Sequence, residues 1–105
     1  MKKLKVLQVS EKVNSTINSK YSKNENNQKI AKKCLELCEE WAIINLDHID
    51  GLTRKNAKSD CKKYVKNALK DDEVVGSLLI MIITGIIVRL IVDWIVNNFI
   101  YNLKK

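Results

Sequence analysis

VVGSLLIMIITGIIV, residues 74–88, contains no charged side chain, and the apolar run continues through Leu90–Val92 and Trp94–Val96 to Tyr101, interrupted by Arg89, Asp93, Asn97 and Asn98. No other stretch of the chain is as apolar, so the way this one is covered decides the fold. Read as one helix, residues 74–101 at about 1.5 Å each reach roughly 42 Å, beyond the approximately 30 Å hydrocarbon core of a bilayer. The uncharged window of 15 residues falls short of the 18 or so expected of a membrane span. Against that, Arg89 and Asp93 stand four apart and are placed to pair on one turn, and Trp94, Tyr101, Lys104 and Lys105 resemble an interfacial belt with a basic end. A span from Val74 to Val96 follows.

The same helix has a second reading. Gly85, Arg89, Asp93, Asn97 and Tyr101 form a row at four-residue steps, a ridge suited to polar partners in an oligomer. A helix apolar nearly all round needs more cover than a 105-residue monomer is expected to supply, so lipid or further copies of the chain are expected to bury it. Val74, Leu78, Ile82, Gly85, Arg89, Asp93, Trp94 and Tyr101 are accordingly the candidate anchor or oligomer residues. Gly76, Ser77, Thr84 and Gly85 are small enough to permit close helix approach, although their spacing is not the five-residue glycine motif.

Working outward, Asp71, Asp72 and Glu73 lie where carboxylates favour the positive end of a following helix. Before them, residues 54–70 set Ala57, Cys61, Tyr64, Val65, Ala68 and Leu69 on one side. Arg54, Lys55, Lys58, Lys62, Lys63, Lys66 and Lys70 lie largely on the other, a basic amphipathic helix suited to anionic surfaces. A basic segment just before a span places the N-terminal part on the cytoplasmic side. Thr53 after Gly51 is suited to cap this helix. From Gln28 to about Ile49, Ile30, Cys34, Leu37, Trp41 and Ile44 recur at steps of four and three, with Cys38 widening a helix-packing face.

The fold expected is all-α: a short helical hairpin followed by one long hydrophobic C-terminal helix. The divisions are a basic polar segment 1–27, an amphipathic hairpin 28–70 and the hydrophobic helix 71–105. In the first, Val6, Val9, Val13, Ile17 and Tyr21 follow a weak helical period, while residues 4–9 would also suit a short strand. The absence of proline and the presence of only three glycines leave long helices few obligatory stops.

A formal charge of +7 favours lipid headgroups, nucleic acid or acidic proteins without choosing among them. Lys, Asn and Ile fill 41 of 105 positions, as AT-rich codons would, which weakens the nucleic-acid reading and is common in small viral and phage genomes. No apolar leader follows the basic Met1–Lys5, and an odd count of three cysteines argues for thiols in a reducing compartment. Cys34, Cys38, His48 and Cys61 match no common zinc spacing, and Cys34 and Cys38 share the apolar face of Trp41, as core residues do. His48 beside Asp47 has no nucleophile motif or phosphate loop to work with.

The sequence therefore points to a non-enzymatic anchoring or interaction protein without cofactor, metal or catalytic residues. Its expected state is single-pass membrane-associated and self-associating, with itself, other assembly proteins or anionic lipid as partners. One alternative is a soluble structural subunit of a larger assembly such as a phage virion, with the apolar helix buried between subunits. A weaker one is a basic nucleic-acid-binding module. The plan of basic helices before one hydrophobic helix resembles many small phage and bacterial membrane or virion-associated proteins, and that resemblance implies no particular site.

Overall fold

The structure, a computed structural model, describes residues 2–70 and 78–100. Among them there is no strand, and the chain forms α1 (Lys2–Lys20), α2 (Glu25–Ile44), a 3-10 turn (Ile49–Gly51), α3 (Arg54–Leu69) and α4 (Leu78–Ile100). In α1 the helical period prevails over the short strand: Val6, Val9, Val13 and Ile17 lie on one stripe and all are buried. Asn24 starts α2 three residues before Gln28, because its backbone is extended and its side-chain oxygen accepts the Asn27 N–H at 3.1 Å, removing one of the helix's unpaired donors. Thr53 does the same for α3, its hydroxyl accepting the Asn56 N–H at 3.1 Å.

The fourth helix is the hub. It packs against α1, α2, α3 and the 3-10 turn, while α2 also packs against α1 and α3. Ile83, Ile87, Ile91 and Ile95 form a four-step row that is completely or almost completely buried, with Val88 and Val92 beside it. Opposite this row stand the valines of α1 and the small residues Ala31, Cys34, Cys38 and Ala42 of α2, with Ala57 and Cys61 of α3. Small side chains let the helix axes approach, so three short helices cover more of α4 than their apolar area alone suggests. The expectation that lipid or other copies must supply the cover is corrected to that extent. Residues 80–98 are long and apolar enough to cross a membrane, and half of that stretch is buried inside the chain.

The packing face of α2 is also rotated from its expected line. Cys34, Cys38 and Trp41 are buried as expected, Ile30 and Leu37 pack at the margin of the core, and Ile44 is 64% exposed. Ile30, Leu37 and Ile44 are spaced by sevens, and a straight helix drifts about 20° per seven residues. The stripe therefore moves onto Ala31, Leu35, Cys38 and Ala42 and leaves Ile44 at the end of the helix in solvent. Trp41 is held by an indole N–H donated to Asp60 of α3 at 3.0 Å, which fixes the α2–α3 hairpin.

These placements separate two isoleucines of equal size. Ile87→Ala is expected to lower the unfolding free energy by about 2–5 kcal/mol, whereas Ile44→Ala should change it by less than about 0.5 kcal/mol, as measured by denaturant titration of the helical circular-dichroism signal.

Candidate docking face on the fourth helix

The side of α4 that the bundle does not cover is a narrow strip, apolar over its first half. Met81 and Ile82 are 53% and 52% exposed, Trp94 is 38% exposed, and Gly85, Ile86 and Leu90 are partly covered between them. Leu78 opens this helix; Val74 and Tyr101, together with Asp71–Glu73, Lys104 and Lys105, lie outside the described residues. The outward strip thus includes Ile82, Gly85, Arg89, Asp93 and Trp94 from the expected anchor set. Met81, equally outward, lies four residues before Gly85 and extends the row of Gly85, Arg89 and Asp93 by one step, although the expected anchor set does not include it.

Basic side chains border the strip on both sides. On the α1 side, the Lys12 ammonium sits 5.3 Å from the centre of the Trp94 ring, within cation–π range. Lys5 and Lys12 line a groove there of about 400 Å³ with Gln8, Val9, Glu11 and Asn98. Neither lysine stood out in the sequence, although their seven-residue separation puts both on one face of α1. On the α3 side runs a four-step row of Arg54, Lys58, Lys62, Lys66 and Lys70, all exposed except the partly covered Lys58. Lys55 and Lys63 are exposed as well.

The expected pairing of Arg89 with Asp93 is not formed. Asp93 turns instead to α3: its carboxylate oxygen lies 2.8 Å from the Lys58 ammonium and 3.7 Å from the Arg54 guanidinium. Arg54 also donates to the Asn97 side-chain oxygen at 2.6 Å. Two cations from the neighbouring helix offer a carboxylate more than one flexible arginine a turn away on the same helix, where pairs are worth only about 0.2–0.5 kcal/mol. The contact with Lys58 lacks hydrogen-bond geometry and leaves that buried oxygen with charge pairing alone. Arg89 remains exposed and without an ion pair among the described residues.

The cysteines belong to the interior. All three are free thiols and buried, Cys34 lies 3.4 Å from the Thr84 hydroxyl of α4, and Cys38 and Cys61 meet across the α2–α3 contact. The hydrogen bond that the Cys38 thiol makes to Cys61, then burial, pushes that thiol up, and burial does the same for Cys34. His48 is exposed just before the 3-10 turn. Among the described residues no three metal-ligating side chains converge.

Gly85 stands in the interior of α4 at the centre of the strip, and a Cβ built there would meet nothing within 4 Å. Packing inside the chain therefore does not require glycine, although glycine within a helix costs about 1 kcal/mol relative to alanine.

Compared with known proteins, the chain matches no family model, no curated protein and no solved structure.

Two outcomes follow from these environments. Gly85→Ala is expected to raise the unfolding free energy by about 0.5–1 kcal/mol, read as a higher midpoint in thermal melts. A thiol whose folded-state pKa lies above its unfolded value gives stability that is complete below the unfolded value and declines as pH rises through the range between the two. With Cys34 and Cys38 both raised, stability is expected to decline above about pH 8.5, and Cys34→Ser together with Cys38→Ser should flatten that decline in pH-dependent melts.

Proposed function

We propose that this is a non-enzymatic docking protein that seats on an anionic membrane surface through the outer side of α4. The observation that carries the reading is the apolar strip of Met81, Ile82 and Trp94 set between the lysines of α1 and those of α3. Apolar side chains partition into the headgroup boundary, and each basic residue near an anionic surface adds about 1 kcal/mol. Nucleic acid would satisfy the lysines but offers no apolar layer for Met81 and Ile82. A second copy of a chain with net charge +7 brings like charge to the same border.

The geometry favours lying on the surface over crossing it. Withdrawing α4 into lipid would uncover Val6, Val9, Val13 and Ile17 of α1 and the facing sides of α2 and α3, each fully buried aliphatic side chain being worth about 1.5–3 kcal/mol. Keeping the bundle whole leaves just the outer strip for the membrane, with the basic ridge of α3 facing the headgroups.

Co-sedimentation with vesicles tests this. The protein is expected to bind phosphatidylcholine vesicles containing phosphatidylglycerol, not vesicles of phosphatidylcholine alone, and to be released by high salt and by carbonate. Met81→Asp with Ile82→Asp, both outside the core, should weaken binding at least tenfold with the helical signal intact. Retention through a carbonate wash would instead identify α4 as a membrane-crossing helix. A defined oligomer by light scattering that ignores vesicles would identify a soluble assembly subunit.

A further inference from the structure

We infer that the groove between α3 and α4 above Gly85 is a binding site for the phosphomonoester headgroup of a membrane lipid, an inference that rests on the docking role of the outer side of α4. The groove has a volume of about 340 Å³ and is lined by Lys58, Ser59 and Lys62 of α3 and by Gly85, Val88 and Arg89 of α4. Three cations and a hydroxyl thus converge from two helices. The only carboxylate among the described residues that pairs with any of them is Asp93, which engages Lys58 and is shared with Arg54. Lys62 and Arg89 have no ion pair among the described residues, so the groove holds excess positive charge that an anion from outside would balance.

The kind of anion follows from the donors. A phosphomonoester carries a charge of about −1.5 to −2 at neutral pH and three strong acceptor oxygens, enough to engage Arg89, Lys62 and the Ser59 hydroxyl together. Phosphodiester headgroups such as phosphatidylglycerol bear a single charge and fewer free oxygens. Gly85 explains how such a group would reach the helix: the absence of a side chain leaves the groove floor open beside Arg89, and no neighbour in the chain occupies that space. The helix-weakening glycine thereby acquires a reason that packing does not supply. Met81 and Ile82, one turn earlier on α4 and exposed, stand where the acyl region adjoining a headgroup would be, which favours a lipid-borne phosphate over a soluble one.

The experiment compares the intact chain and Gly85→Leu for binding to phosphatidylcholine vesicles containing either phosphatidic acid or phosphatidylglycerol, matched in surface charge and ionic strength. Leucine fills the groove without a clash at Cβ, removes no charge and suits a helix, and circular dichroism checks the fold. The natural chain is expected to bind phosphatidic acid vesicles at least fivefold more tightly than phosphatidylglycerol vesicles. Gly85→Leu should reduce that preference to within twofold, the readout being the ratio of the two affinities. Equal affinity of the natural chain for both vesicles, or an unaltered preference in Gly85→Leu, overturns the site while leaving surface docking intact. Binding to neither vesicle overturns the docking role and the site with it. A third arm titrates inorganic phosphate while amide resonances of Gly85 and Arg89 are followed by NMR; saturation at millimolar phosphate without a preference between the vesicles overturns the assignment to lipid.

Discussion

The row Ile83–Ile87–Ile91–Ile95 needs a dry environment, and the three helices before it are arranged to provide one. Neither α1 nor α3 has a full partner without α4: the valine stripe of α1 faces α2 and α4, and the alanine and cysteine positions of α3 face α2 and α4. Helices of 16 to 20 residues have limited stability by themselves in water. Their order is thus a consequence of burying this one row, and the polar contacts Trp41–Asp60 and Arg54–Asn97 fix orientation around it.

The charge distribution obeys the same geometry. Because α4 has a covered and an uncovered side, its few polar residues collect at the border: Asp93 and Asn97 meet the N-terminal part of α3, and Arg89 meets solvent. Asp93 and its two cations tie the antiparallel helices together in register. Toward the other end of α4 the border has lysines and arginine but no acid among the described residues to match them. Among the described residues this helix pair therefore has a neutralised end and a cationic end, and the cationic end is the one next to the exposed methionine and isoleucine.

All-helical character was legible in the sequence because it depends on local pattern: the four- and three-residue spacing from Ile30 to Trp41, the Thr53 cap and the missing prolines are properties of short segments. The number of helices and the way α4 is covered were less legible. The α1 stripe of three valines and an isoleucine is thin, and whether it faces lipid, solvent or another helix depends on a partner about 80 residues away in the chain, which periodicity does not encode. The outer strip was half legible. Gly85, Arg89 and Asp93 are legible from their row, Trp94 from its place near a basic end and Ile82 from the apolar run, while Lys5 and Lys12 border the strip only through the packing of α1 beside α4. The Arg89–Asp93 pairing failed because local spacing cannot weigh a competitor from another helix.

The contact between α1 and α4 also bears on how the molecule comes into being. Contacts between distant segments carry a larger loop-closure cost and slow folding, and here the first helix waits for the last described one. During synthesis, at about 5–20 residues per second, α1, α2 and α3 emerge with their apolar stripes unmatched for some seconds. Any intermediate in that interval exposes valines and cysteines that the finished bundle conceals, and aggregation competes with folding until the most apolar segment has been made. The helix that makes the molecule most prone to associate with other surfaces is also the one whose arrival ends the period when the rest of the chain is exposed.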